Sequence, residues 1–489
     1  MKKILFTHSY FLKLDPKQWS IGKPYAPLGT LHAIAFMRKQ GYTVSFFDTM
    51  FEKDPDSVIP YIDQETPEVF LIYDDGFNYL TKMCLQNMRE AAFKMIRYAK
   101  DKGCTVIVSS SDSTDRFELY HNAGADYIII GEPEQTLLEL MRSLSGTPAD
   151  LLTIKGIVFK QNEKFVRTGV REVMKDLDAL PFPAWDMIDM KPYKKMWLKH
   201  AGYFSMNMST TRGCPFKCNW CAKPIYGNRY NSRSPKNVVS ELLFMKEQFH
   251  FDHIWFCDDI FGLKPGWVKE FADLIEENGL AFAFKIQGRV DLLLQENNIK
   301  DLKRAGCENI WVGAESGSQR ILDAMDKGTT VDQIYKATQT IKSCGIKPSF
   351  FIQFGYLSET KEDIKKTIDM INELLPYEIG ISVSYPLPGT KFYEKVKSEL
   401  VSKTNWNDSD EMALMFRNNY QPAFYKHLHK YVHESYHLHL ALDTLKQAIH
   451  HPKSFNFRWA KKVFSTIYYL PLFIFNSWKL HHLEAATHA

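Results

Sequence analysis

The chain has 489 residues, of which 45% are hydrophobic and 24% charged, with a formal net charge of +4. That length allows two or three domains with ample core, and so small a charge excess makes no case for nucleic acid as an obligatory partner. Eight cysteines in such a length argue against a disulfide framework, and Met1-Lys2-Lys3 runs straight into the strand-like Ile4-Leu5-Phe6 without a secretion signal, so the expected setting is the reducing cytoplasm.

Residues 1–145 alternate strand-like and helix-like runs. Lys2–Thr7, Thr43–Asp48, Val69–Asp74, Thr105–Ser110 and Tyr127–Gly131 are apolar strand runs, and Leu28–Gln40 has helical spacing closed by Gly41. The alternation predicts a doubly wound, Rossmann-like parallel sheet, whose ligands sit beyond the carboxyl ends of the strands. Those ends supply His8, Asp74, Asp75, Ser109, Ser110, Ser111, Gly131, Glu132 and Glu134. Residues 146–200 read as a linker, with a small hairpin at 155–166 and an extended proline-rich run at Asp176–Trp185.

From 201 to 400 the pattern becomes strand, loop, helix, with strands starting near Phe204, His253, Ala281, Asn309, Pro348 and Glu378. Ser234-Pro235 is a cap followed by a first-turn proline, and Thr330…Gln333 and Thr360…Asp363 have capping-box form. Six such units make a partial (β/α)6, TIM-like barrel, whose active face is at the carboxyl ends of the strands. Directly after the first strand comes Cys214-Pro215-Phe216-Lys217-Cys218-Asn219-Trp220-Cys221. Three thiolates at C-x3-C-x2-C spacing can hold one [4Fe-4S] cluster and leave one iron open, as a catalytic zinc keeps an open position. Structural zinc prefers four protein ligands, and no fourth stands at a finger-like spacing. Cys257, Cys307 and Cys344 read as buried small residues, with Cys257 a reactive candidate beside Asp258 and Asp259.

Residues 401–489 read as helical and rich in histidine and aromatics. Tyr420–Tyr436 suits either an apolar substrate or a lid. Val463–Leu480 is apolar, interrupted by Pro471 and preceded by Arg458, Lys461 and Lys462, so it does not read as a membrane span. Composition favours a packed helical cap, with peripheral membrane contact through 463–480 as the alternative.

The motifs resemble those of the radical S-adenosylmethionine (radical SAM) superfamily, in particular its cobalamin-binding branch. The likeness rests on the cysteine loop, with Trp220 as its aromatic, and on five stretches of the barrel: Phe256–Phe261 (FCDDIF), Gln287–Asp291 (QGRVD), Gly313–Ser318 (GAESGS), Met325–Thr329 (MDKGT) and Pro386–Thr390 (PLPGT). Ala26–Thr30 (APLGT), Gly41–Val44 with Asp48, Gly131–Thr136 (GEPEQT) and Asp178–Pro183 (DALPFP) extend it through the N-terminal half, so it covers about residues 1–397. The resemblance implies that Cys214, Cys218 and Cys221 hold a [4Fe-4S] cluster whose open iron takes S-adenosylmethionine, and that one electron cleaves this cofactor to a 5′-deoxyadenosyl radical. Asp258 and Asp259 are then candidates for its ammonium, Glu315 and Ser316 for its ribose or amine, and Arg289 for its carboxylate. The alternative for each is a salt bridge on the barrel rim. Cobalamin would be bound without the histidine of an Asp-x-His-x-x-Gly loop, which the chain lacks. Pro27, Leu28 and Gly29 would pack near the corrin edge. Ser109–Ser111, Gly131, Glu132 and Glu134 would line the nucleotide tail.

The resemblance leaves several reactions open. The leading one methylates an unactivated carbon, more rarely phosphorus, of a small molecule, with electrons from a flavodoxin or ferredoxin. The second is an oxidative or ring-forming reaction on a hydrophobic, tetrapyrrole-like substrate. Methylthiolation would need a second three-cysteine cluster, whereas residues 1–145 hold only Cys84 and Cys104. A non-enzymatic cobalamin or cluster sensor is opposed by Asp258, Arg289 and Glu315.

Overall fold

The computed structural model describes residues 2–78, 81, 85–146, 150–221, 227–295, 297–403, 405–409, 411–450, 460 and 463–487. The first sheet takes its parallel strands in the order β2-β1-β3-β4-β5, with β1 at Ile4–Thr7, β2 at Val44–Phe47, β3 at Val69–Tyr73, β4 at Thr105–Ser109 and β5 at Tyr127–Ile129. Its strands are apolar on both faces, so both faces need cover. Ile4, Phe6, Val69 and Leu71 pack beneath α1 (Leu28–Lys39), while Leu5, Phe70, Ile72 and Val106 pack with Met95 and Ile96 of α2 (Gln86–Asp101). Helix α3 (Glu134–Leu144) follows β5.

The hairpin read as part of a linker belongs to this sheet. β6 (Ile157–Gln161) pairs antiparallel with β5, and β7 (Lys164–Arg167) with β6. Ile157 and Val158 are fully buried, so the hairpin covers an edge that would otherwise be open.

Helix α4 (Lys191–Ala201) leads into the second sheet. Six parallel strands run in the order β15-β14-β13-β12-β11-β8: β8 (Ser205–Met208), β11 (His253–Phe256), β12 (Ala283–Gly288), β13 (Cys307–Glu315), β14 (Lys347–Phe354) and β15 (Glu378–Val383). A short antiparallel ribbon, β9 (Thr211–Arg212) with β10 (Asn231–Ser232), flanks the cysteine loop. Helices α5 (Pro235–Phe249), α6 (Trp267–Glu277), α7 (Val331–Ser343) and α8 (Lys361–Leu374) alternate with the strands. Ser234 caps α5, and Thr330 and Thr360 form capping boxes at α7 and α8. Alternate strand residues such as Met206, Ile254, Phe284, Ile286 and Val312 are buried in the core. The other set, including Asn207, Trp255, Lys285, Gln287, Trp311 and Phe351, faces the concave side by the strand period of two.

That concave side receives a segment of the N-terminal half. The Tyr25 hydroxyl lies 3.2 Å from Ser205 Oγ, and its ring is 4.7 Å from that of Trp255 and 5.1 Å from that of Trp197. Lys285 Nζ stands 5.3 Å from both the Tyr25 and Trp255 rings. On either side of Tyr25, Trp197 Nε1 donates to the Pro24 carbonyl (2.7 Å) and Asn207 Nδ2 to the Ala26 carbonyl (2.9 Å).

Two C-terminal helices, α9 (Pro422–His450) and α10 (Thr466–Thr487), pack against each other. α9 docks on the barrel through Asn372 Nδ2 to Ser435 Oγ (2.9 Å) and Tyr436 Oη to the Pro376 carbonyl (2.6 Å). Among the described residues no helix is long and apolar enough to cross a membrane. Cys84, Arg458, Lys461 and Lys462 lie outside the described residues.

Candidate active site at the barrel rim

The cysteine loop leaves β9 through Gly213, whose φ is +84° and whose missing Cβ would fall 2.1 Å from the Arg229 carbonyl oxygen. Only glycine turns the chain there. The loop is then pinned at Asn219, between Cys218 and Trp220. Its amide nitrogen donates to the Met325 carbonyl (3.0 Å), its Nδ2 to the Ala324 carbonyl (2.7 Å), and its Oδ1 accepts from Tyr356 Oη (2.8 Å). Asn219 is 3% exposed. Sequence spacing drew attention to the cysteines and not to the residue that fixes their loop.

Cys214, Cys218 and Cys221 are half-buried and carry no disulfide. Burial pushes the Cys214 thiol up to about 11 and the Cys221 thiol up to about 12, and the Asp259 carboxylate adds to both. Such thiols are poor nucleophiles, and a coordinated metal would deprotonate them outright. Among the described residues no three His, Cys, Asp or Glu side chains close on one point as a mononuclear ion needs. A cubane makes no such demand, because each of its cysteines binds a different iron. Two cations stand ready to balance the thiolates. Arg289 Nη1 is 3.8 Å from Cys218 Sγ, and its guanidinium lies 3.7 Å from the Phe216 ring centroid. Lys327 Nζ is 5.9 Å from the Trp220 ring. Trp220 Nε1 is buried with no hydrogen-bond partner among the described residues. Three thiols, two cations and an unmatched donor fit an anionic cluster with a cofactor beside it.

Glu315 ends β13 at φ +60°, where the pairing with β14 shifts register. A non-glycine residue in that region is held by its surroundings, often at a functional site. Its Oε1 accepts from Lys327 Nζ at 2.7 Å, with both side chains buried. A Cβ on Gly313 would fall 2.7 Å from Lys327 Nζ and 2.8 Å from Glu315 Oε1, so that glycine makes room for the pair. Lys327 received no role from the sequence, although it lies inside one of the quoted stretches. Arg289 Nη2 donates to the Lys327 carbonyl (2.9 Å), and Asp291 flanks the guanidinium at 3.1 and 3.2 Å.

Several expected contacts are corrected by the structure. Asp258, 1% exposed, turns inward and accepts from Thr210 N (2.7 Å), Thr211 N (2.7 Å) and Thr210 Oγ1 (2.7 Å), while burial pushes it up to about 6. It anchors the strand end before the cysteines, whereas the charge of its neighbour Asp259 bears on the Cys214 and Cys221 thiols. The Ser316 hydroxyl is fully buried against Thr367 Oγ1 (3.0 Å) of α8 and does not face a ribose site. Glu132 and Glu134 do not line a nucleotide groove. Both are buried against Arg212, which contacts Glu132 Oε1 through Nη1 and Glu134 Oε1 through Nη2 (2.5 Å). This joins the end of the first sheet to the root of the cysteine loop. Ser110 caps the short helix Ser111–Asp115, its hydroxyl accepting from Ser113 N (2.9 Å). Leu28 is fully buried in the core, Pro27 precedes α1, and Gly29 N donates to Asp75 Oδ1 (3.1 Å).

Ser109 and Gly131 (φ +76°) remain at strand ends. His8 is 1% exposed, with Nε2 2.8 Å from Asp48 Oδ1 and Nδ1 3.0 Å from Thr49 Oγ1. Both ring nitrogens are engaged, so neither is offered to a metal. Cys257 is buried with Sγ 3.2 Å from the Met208 carbonyl. Tyr420, Phe424 and Tyr425 are buried in the core. A cavity of about 630 Å³, lined in part by Trp311, Lys347, Tyr377 and Tyr436, opens at the amino ends of β14 and β15, away from the cysteine rim.

The parallel half-barrel, with three thiols on the loop after its first strand, is also the part of the chain that a family model matches. Residues 208–371 match the Radical SAM superfamily profile. The chain is 30% identical over 283 residues to the uncharacterized methyltransferase PH0819 of Pyrococcus horikoshii, covering 58% of this chain and 60% of that one. It is 27% identical over 280 residues to the anaerobic magnesium-protoporphyrin IX monomethyl ester cyclase of Rubrivivax gelatinosus, covering 55% and 49%. The chain thus spans between half and three fifths of the length of these relatives. Its fold matches that of the cobalamin-dependent S-adenosylmethionine radical enzyme OxsB, solved with aqua-cobalamin and S-adenosylmethionine bound, with a TM-score of 0.71 at 16% identity over 95% of this chain and 70% of that one. The chain thus carries a match to the Radical SAM superfamily over residues 208–371 and shares its fold with OxsB.

Proposed function

We propose that the protein is a cobalamin-dependent radical SAM methyltransferase acting on an unactivated carbon of a small organic molecule. The observation that carries this reading is the convergence of Cys214, Cys218, Cys221, Asp259, Arg289 and the Lys327–Glu315 pair at the carboxyl ends of the parallel half-barrel. When bound, the cluster supplies the electron that cleaves S-adenosylmethionine, and cobalamin carries the methyl group. In this reading the three cysteines hold the cluster. Arg289 and Lys327 balance its charge, Asp259 receives the cofactor ammonium, and Glu315, oriented by Lys327, faces the cofactor. Residues 1–145 with the hairpin 157–167 form the cobalamin domain, 201–400 the radical core, and 401–489 the helical cap. A ferredoxin- or flavodoxin-class donor in the cytoplasm supplies electrons.

The likeness to the Rubrivivax cyclase favours a second reading, oxidative ring formation. Anaerobic reconstitution with iron, sulfide and cobalamin, then reduction, separates the two. 5′-Deoxyadenosine together with S-adenosylhomocysteine supports methyl transfer, and deoxyadenosine alone supports the cyclase. Neither product from a chain carrying cluster and cobalamin counts against both. The triple alanine variant at Cys214, Cys218 and Cys221 is the control.

A further inference from the structure

Helix α10 presents two different apolar faces. One packs on α9: Tyr469 stacks on His437 (4.5 Å between centroids), Phe473 on Tyr431 (4.8 Å), and Asn476 Nδ2 donates to Glu434 Oε1 (2.8 Å). The other is open to solvent. Ile467 is 74% exposed, Leu470 50%, Ile474 59% and Trp478 51%, and Phe475 lies beside them. Their spacing of three, four and four residues places them on one stripe of the helix. A helix exposing such a stripe marks an interaction surface.

The charge carried by this stretch of sequence argues for what covers the stripe. The sequence from 444 to 483 contains Lys446, Lys453, Arg458, Lys461, Lys462 and Lys479 and no Asp or Glu. At the end of the stripe Lys479 Nζ lies 5.2 Å from the Trp478 ring and 5.9 Å from that of Phe475, within cation–π reach of both. Two copies of this segment brought together would each bring six cations and no acid to the contact. An anionic lipid surface would neutralise them and take up the aromatic and aliphatic side chains at its interface. We propose that α10 docks the enzyme on an anionic membrane surface, lying in the interface through Ile467, Leu470, Ile474, Phe475 and Trp478 without spanning it. The docking is independent of the reaction, since none of these side chains belongs to the barrel rim.

The test is sedimentation of the full chain with large vesicles of equimolar phosphatidylcholine and phosphatidylglycerol, against vesicles of phosphatidylcholine alone. Binding to the anionic vesicles that weakens as salt is raised is expected. The variant Ile467→Ser/Ile474→Ser/Trp478→Ser changes only exposed side chains, so its melting temperature should match the parent's. Its partitioning should fall about a hundredfold. The salt dependence is read on the parent chain and does not rely on the variant. Equal binding to both vesicle types, or binding to neither, overturns the proposal. So does a lipid-free dimer in analytical ultracentrifugation that the triple substitution dissociates, since a second copy would then cover the stripe.

Discussion

Replacing Arg212 by methionine tests whether the two halves of the molecule are joined by charge. The guanidinium is 4% exposed, and the Glu132 and Glu134 side chains it pairs with are 5% and 1% exposed. Removing one partner of a buried ion pair costs about 3–5 kcal/mol, because a charge is left uncompensated, whereas removing all partners together is often neutral. Arg212→Met should therefore lower the midpoint of chemical denaturation, followed by circular dichroism, by that energy. Adding Glu132→Gln and Glu134→Gln should restore most of it. Burial already raises the Glu132 carboxyl above its ordinary 4.5, and Arg212 opposes the shift. A carboxyl raised in the folded state favours folding below its unfolded value, and that contribution is lost as pH rises through the folded value. The penalty of Arg212→Met should thus be smallest below pH 4.5 and grow above it. A triple variant no more stable than Arg212→Met, or a penalty that ignores pH, would refute the argument. Because Arg212 stands two residues before Cys214, iron loading should fall in the single variant and recover in the triple.

Three further predictions follow from buried groups. Asp258→Asn should leave S-adenosylmethionine retention in equilibrium dialysis near the parent's, because an amide oxygen still accepts from Thr210 N and Thr211 N. Asp258→Ala should cost about 1–3 kcal/mol for each orphaned N–H in thermal melting. A large retention loss in Asp258→Asn would instead return this residue to the cofactor. Lys327→Met should destabilise the iron-free protein by about 3–5 kcal/mol through the stranded Glu315, with Glu315→Gln relieving it; melting curves of the three variants decide. Glu359, 2% exposed, is pushed up to about 8 by burial, with Oε1 lacking a partner among the described residues. The parent should then lose on the order of 5 kcal/mol of this contribution as pH rises from 4.5 through 8. Glu359→Gln should flatten that profile in denaturation midpoints taken across the range.

The first sheet was legible because its strands are short, mostly apolar runs, and the barrel because three of its helices, α5, α7 and α8, begin with side-chain caps that have a local signature. The cysteine loop was legible because ligand spacing within one loop is a local property. What faces what was not. Asp258 and Asp259 are adjacent in sequence, and only the three donors of Thr210 and Thr211 decide which one turns inward. Glu132 and Glu134 meet Arg212 across 80 and 78 residues, a pairing that no periodicity encodes. The 155–166 run carried a hairpin signal, but only the unpaired edge of β5 makes it part of the first sheet. Ser316 sat in the right motif, yet α8 offers its hydroxyl a nearer partner in Thr367.

Tyr25 limits how far the molecule can be taken apart. Its ring and hydroxyl complete the packing around Trp255, Ser205 and Lys285, so part of the barrel's inner wall is encoded some 180 residues upstream of the barrel itself. Excising 201–400 would open a hole lined by an indole and an ammonium, the kind of wound that aggregates. The barrel is therefore not a cassette that can be moved unchanged onto another N-terminal half. Any N-terminal half joined to it must carry its own plug, shaped to the same gap.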